Sequence, residues 1–244
     1  MLTNYINNSI LLEKIINIRN KVLSRETPLA SFLGHSKNYL RGDIAGRGIS
    51  FLSIPILTRL LTTQEYGIVA IYLTIVQIFS NIFGLGIRGA ITRYYFEDSN
   101  DFNKFLSTNT LFFLFFNIFT ISFLYLFSSY TATFFDVSKK VFLIGILTAF
   151  FNASFFLYKA FLIADKQSNR FAVLGIVQTA LVISISIVWV LILDSNKYLG
   201  RIYGQMVVVS GFAVFAFYHI FKGISAPFRI SHVSYAEAFG LPIL

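Results

Sequence analysis

Cysteine is absent from the 244 residues, which removes disulfides, thiolate metal sites and cysteine nucleophiles. Histidine occurs only at His35, His219 and His232, too far apart for metal-ligand spacing. Charge is scarce: Asp, Glu, Lys and Arg make up 13% of the chain, about half the share of a soluble domain. The 11 acidic residues lie almost entirely between apolar stretches. No two of them are spaced for glycosidase chemistry, and no G-x-S-x-G or Walker lysine motif appears. The chain is therefore not expected to be an enzyme, and no catalytic residue, metal or cofactor is assigned. A net charge of +9 does not point to nucleic acid, because there is no soluble basic domain to hold a duplex. It reads instead as topogenic charge in loops or as a basic cavity.

What is abundant is apolar. Hydrophobic residues reach 56%, Phe alone occurs 29 times, and the mean hydropathy is +0.70. A helix rising about 1.5 Å per residue needs about 20 apolar residues to cross a bilayer core about 30 Å thick. Six stretches of that length follow one another, over 42–61, 67–88, 106–128, 141–163, 171–193 and 200–221. Runs such as Leu111–Phe116 do not alternate apolar and polar, which excludes an outer-membrane barrel. The expected class is an all-α membrane protein, a bundle of six transmembrane helices joined by short connections. Pro55 falls inside the first stretch, where it removes a backbone donor and can kink the helix.

Residues 1–35 form an extension interrupted by Lys14, Arg19, Lys21 and Arg25, so they are not a signal peptide. Leu11, Ile15, Ile18 and Val22 share one helical face, closed by Pro28. Two readings stay open: an amphipathic helix on anionic lipid, or a weakly ordered tail. Lys and Arg in the connections divide fourteen to four, counting Arg201 among the four and leaving out Arg47 and Arg59. The majority side is cytoplasmic by the positive-inside rule, which places the N-terminus there. Residues 234–244 read as the start of a seventh span.

Charge inside a span is costly and so points to function. Asp43 and Arg47 stand four apart and can pair, with Ser50 on the same face. Arg47 either lines a water-filled cavity and meets an anionic group, or snorkels to the interface. Arg59, at the other end of the first span, fits cavity lining and headgroup anchoring equally. In the second span Thr74, Gln77, Asn81 and Arg88 recur on one face, with Gly84 between. That stripe lines a polar cavity with Arg88 at its mouth, or else it hydrogen-bonds neighbouring helices. Asn117, Asn152, Gln178 and Gln205 are single polar residues, each read first as interhelical glue. Lys159 is read as snorkelling. Gly84-Leu-Gly-Ile-Arg-Gly89 matches G-x-G-x-x-G but ends a membrane span, so it is not a dinucleotide site. These glycines, and Gly204 with Gly211, read as points of close helix approach.

The first span and its exit, from Ser36 to Gly67, resemble the start of polysaccharide biosynthesis proteins. The most specific part is Pro55-Ile-Leu-Thr-Arg-Leu-Leu-Thr-Thr-Gln-Glu-Tyr-Gly67. These proteins are the O-antigen flippases of the MATE-like multidrug/oligosaccharidyl-lipid/polysaccharide exporter superfamily. Gly84 to Tyr95 and Phe239-Gly-Leu-Pro-Ile-Leu244 are similar to later segments of the same family. The resemblance implies a six-span N-terminal lobe of a two-lobed transporter in the bacterial inner membrane. It also implies a substrate, an undecaprenyl-pyrophosphate-linked oligosaccharide moved by alternating access. Arg47 and Arg88 would then face the pyrophosphate. Asp43, Ser50, Arg59, Thr74, Gln77, Asn81 and Gln178 would line the cavity. Partners would be the lipid-linked substrate, membrane lipid, and a missing C-terminal lobe or a second copy. A coupling ion, H+ or Na+, is left unassigned. The length, half that of the family, predicts a truncated product. Two other classes remain: a small-molecule antiporter, which an acidic residue deep in the cavity would favour, and a membrane scaffold without transport.

Overall fold

The computed structural model describes residues 28–84, 86, 87, 89–91 and 102–223. Among these the chain is helical and has no strand. The elements are α1 (Pro28–Leu60), α2 (Thr63–Gly84), α3 (Phe102–Leu126), α4 (Ser128–Phe134), α5 (Lys139–Ala164), α6 (Ser168–Ile192) and α7 (Tyr198–Gly223). Five of them (α2, α3 and α5 to α7) are long and apolar enough to cross a membrane. The protein is accordingly a membrane protein, all-helical among the described residues. Its outward faces carry Phe115 and Phe119, each 72% exposed, and Leu126, 78% exposed. Side chains of this size facing outward on several helices suit a lipid surrounding.

Element ends follow from local chemistry. One helix runs unbroken from Pro28 through Pro55, so the first apolar stretch begins well before residue 42. Pro28 is its first residue, where a missing N–H costs nothing. The turn into α2 is a capping box. Glu65 Oε2 accepts from the Thr62 N–H at 3.0 Å and from its hydroxyl at 3.1 Å, while Thr62 Oγ1 accepts from the Glu65 N–H at 3.3 Å. That box starts α2 at Thr63 instead of Gly67 and shortens the connection to Leu61 and Thr62. Ser138 caps α5 by accepting from the Val141 N–H at 3.3 Å. The short α4 fills what the sequence suggested was a loop. Gly86 turns the chain after α2 at φ 69°, a conformation that favours glycine. The amphipathic pattern of residues 11–23 and the start of a seventh span at 234–244 lie outside the described residues.

α5 is the central helix: 61% of its membrane-length window is buried, against 6% for α6. Its neighbours α2 and α7 run parallel to it. Gly145 meets Ile75, and the Asn152 amide donates to Ser80 Oγ at 3.2 Å. Toward α7, Phe155 packs edge-on against Phe212 at 5.1 Å. Phenylalanines dominate this core, with Phe83, Phe113 and Phe142 fully buried and Phe79 edge-on to Phe142 at 6.1 Å. α3 closes the far side, where the Asn117 amide donates to the Phe83 carbonyl at 3.3 Å.

α1 does not join that core. It lies parallel to α6, and α6 lies antiparallel to α7. A Cβ on Gly42 would fall 2.7 Å from Ala172 Cα. A Cβ on Gly200 would fall 2.7 Å from the Val190 backbone nitrogen, and one on Gly204 2.6 Å from Ser186 Cα. The neighbours in order are therefore α1, α6, α7, α5 and α2, with little contact between α1 and α2. This is an open ring with a cleft inside. Gly204 acts as the sequence suggested. Gly211, Gly86 and Gly89 do not, since nothing among the described residues lies within 4 Å of a Cβ added there.

Gly204→Ala is expected to destabilise the fold by about 1–3 kcal/mol through overpacking against backbone, whereas Gly211→Ala should be neutral. Thermal unfolding of both variants in detergent checks this, and equal effects would refute the assigned seam.

Candidate functional site

The cleft encloses about 700 Å³ between α1, α2, α6 and α7, with Asn152 of α5 at its back. α1 contributes Arg47, Ser50 and Ser53 among apolar side chains. α2 contributes Tyr66 and Gln77, α6 Gln178 and Thr179, and α7 Arg201 and Gln205. Among the described residues no Asp or Glu lines it, and the formal charges in its wall are two arginines. At the end carrying the Leu61–Thr62 link, Leu57, Leu61, Val69 and Val190 pack into an apolar plug.

Four of the residues expected to line a cavity meet here: Arg47, Ser50, Gln77 and Gln178. They come from three helices distant in sequence, and the parallel packing of α1 on α6 brings two of those helices together. Asp43, Arg59, Thr74 and Asn81 are exposed but do not line the cleft. Asp43 lies one turn from Arg47 and makes no ion pair with it, so Asp43 does not orient the guanidinium. Thr74 turns its hydroxyl back to the Ala70 carbonyl at 3.0 Å. Asn81 stands a turn past Gln77, the last lining residue of α2. Arg88 lies outside the described residues. Of the described residues of that stripe, Gln77 reaches the cleft and Thr74 and Asn81 do not. The face that lines the cleft runs Tyr66, Val69, Ala70, Leu73, Gln77.

Hydroxyls in the cleft are held by their own helices. Ser50 Oγ donates to the Gly46 carbonyl at 3.0 Å, Ser53 Oγ to the Ser50 carbonyl at 2.6 Å and Thr179 Oγ1 to the Gly175 carbonyl at 2.9 Å. Each keeps lone pairs to accept from a ligand. Asn152 and Asn117 are the interhelical glue their isolation suggested. Lys159 does not simply extend to the interface: it is half-buried, with Nζ 4.0 Å from the Phe171 ring centroid.

Arg201 is the main residue that sequence reasoning placed wrongly. Counted there as loop charge, it is 8% exposed within α7. Its Nη1 donates to Ser186 Oγ at 3.0 Å, and the same hydroxyl donates to the Arg201 carbonyl at 3.3 Å. Its Nε and the Oε1 of Gln205 are buried without a hydrogen-bond partner among the described residues. The signal was present in Gly200-Arg-Ile-Tyr-Gly204, because a charge flanked by two glycines one turn apart sits in a close-packed seam. Removing Arg201 from the loop charge leaves the Lys/Arg asymmetry in the same direction.

The polysaccharide biosynthesis protein family matches residues 39–239. The chain belongs to that family. Its match includes every cleft residue named above. The chain is also similar to the succinoglycan biosynthesis transport protein ExoT of Rhizobium meliloti (strain 1021), 43% identical over 44 residues. That stretch is 18% of this chain and 9% of the relative. No solved structure matches. The family and the apolar helices together make this a membrane protein of the polysaccharide biosynthesis family.

A buried arginine lacking an acidic partner is a poor structural element, since its desolvation is uncompensated. Arg201→Met should therefore leave the unfolding temperature unchanged or raise it. A fall of several degrees in detergent would instead make the guanidinium part of the scaffold.

Proposed function

We propose that the chain is a six-span lobe of a flippase that moves an undecaprenyl-pyrophosphate-linked oligosaccharide, a surface polysaccharide repeat unit such as O-antigen, across the bacterial inner membrane. The observation that carries the reading is the cleft wall, which among the described residues holds two arginines, several amides and hydroxyls, and no carboxylate. Arginine makes charge-assisted and often bidentate bonds to phosphate oxygens. Gln77 and Gln178 supply donors and acceptors for sugar hydroxyls. Arg47 is the phosphate-facing residue, because it belongs to the cleft and has no acidic neighbour bound to it. Arg88 keeps that role as a second candidate on sequence grounds alone.

The open ring suits a mobile lipid. A headgroup enters the polar cleft while its isoprenoid tail stays among the outward apolar faces, passing between α1 and α2, which share little contact. The plug of Leu57, Leu61, Val69 and Val190 closes one end, corresponding to an inward-open state if the N-terminus is cytoplasmic. In this reading α1 completes the six spans. Its residues Arg41, Asp43, Arg47 and Arg59 make it the most polar of the set, as suits a helix that borders the cleft. Alternating access needs a second lobe, continuous with this one or a second copy, against which the cleft closes. A cationic-drug antiporter is disfavoured by the lack of an acidic residue among the described residues of the wall.

Translocation of lipid-linked oligosaccharide should fall at least tenfold in Arg47→Ala, because a charge-assisted bond to phosphate is worth about 1.5–3 kcal/mol. The measurement is the outer-leaflet appearance of labelled lipid-linked sugar in cells carrying the variant at normal abundance. Unchanged translocation would refute the assignment.

A further inference from the structure

The chemistry around Arg201 is incomplete in a specific way. One guanidinium bond goes to a neutral hydroxyl, Ser186 Oγ at 3.0 Å. Among the described residues the Nε donor has no partner, and the Oε1 acceptor of Gln205, one turn along the same helix, has none either. Both side chains line the cleft. Buried polar groups are nearly always paired, so an unpaired donor and an unpaired acceptor, both buried on residues of one cavity wall, mark a place that a ligand reaching them from the cleft would complete. The donor is cationic and calls for an anionic oxygen. The acceptor calls for a hydroxyl beside it. A phosphate that carries a sugar offers both in one group.

Position separates this place from Arg47. Gly46 lies against Thr179, while Arg201 bonds Ser186 further along α6. The helical rise puts the two guanidinium-bearing positions about 10 Å apart along the bundle. Arg201 is the one nearer the apolar plug, because Val190 of that plug also meets Gly200.

We infer that Arg201 and Gln205, with Ser186 holding the guanidinium, form a second binding position in the cleft, for a glycosyl phosphate, distinct from Arg47. This deepens the flippase reading and rests on it for the source of the ligand. A headgroup held at Arg47 would have a second stop nearer the plugged end.

The test is isothermal titration of the purified protein in detergent at low salt, with inorganic pyrophosphate and glucose 1-phosphate as probes. An Arg47→Gln background isolates the second position. Both probes should still bind there, and adding Arg201→Gln should weaken both at least tenfold. Gln205→Ala should weaken glucose 1-phosphate about threefold, one unsupported hydroxyl bond, and spare pyrophosphate. Arg201→Lys keeps a cation if the glutamine variant fails to fold, and it should still lose at least threefold because lysine has no equivalent of the Nε–H. Loss of all binding on Arg47→Gln, or pyrophosphate affinity within twofold on Arg201→Gln, overturns the proposal. Translocation that depends on Arg47 with no anion bound at Arg201 removes this position and leaves the flippase reading. Anion binding at Arg201 without translocation does the reverse.

Discussion

The seam between α6 and α7 is the contact on which the site depends. At Gly200 and Gly204 the helix of one meets the backbone of the other closely enough that a single added carbon would collide. Such closeness gives van der Waals contact along the backbone, the main source of helix association where lipid and side chains are equally apolar. The α1–α6 pair touches the α2–α5–α7 core mainly through this seam. The cleft exists because that pair is held at one edge and is free at the other. The same seam carries Arg201 between its two glycines, so the contact that shapes the cleft also buries the charge within it.

Polar groups in this protein are sorted by how much they can satisfy locally. Hydroxyls turn back onto carbonyls one turn earlier, as Thr74, Thr110 and Thr148 do. Asn117 and Asn152 reach across to a neighbouring helix. Arginine and glutamine are too long and carry too many donors for either solution, and they collect along the cleft at Arg47, Gln77, Gln178, Arg201 and Gln205. A bilayer enforces this sorting, since an unsatisfied polar group facing lipid costs several kcal/mol, on the order given for transfer to hydrocarbon. Among the described residues the wall carries arginine and no carboxylate, which gives that part of the cleft a positive field.

The apolar runs, the capping residues and the lack of strand periodicity made the helices legible from the chain alone. The cap formed by Thr62 and Glu65 is as readable as the apolar run it starts, and it moves the beginning of α2 to Thr63. Arg47, Ser50, Gln77 and Gln178 stood out as polar groups in apolar surroundings and do meet in one cleft. Thr74 and Asn81 looked equivalent to Gln77. Periodicity gives a shared face, but it does not say where along the helix a neighbour stops covering it or how far the helix is rotated.

By itself the sequence determined that the chain is helical, that it belongs in a membrane and which few intramembrane polar residues are candidates for its chemistry. These follow from length, apolarity and the cost of charge in lipid, and each is local to a segment. The tertiary structure decided which helices are neighbours. It put α1 on α6 instead of α2, left Asp43 apart from Arg47, and turned a presumed loop arginine into a buried one. Those outcomes depend on backbones approaching at Gly42, Gly200 and Gly204, a contact between segments more than a hundred residues apart in one case, and no spacing within a single helix encodes it.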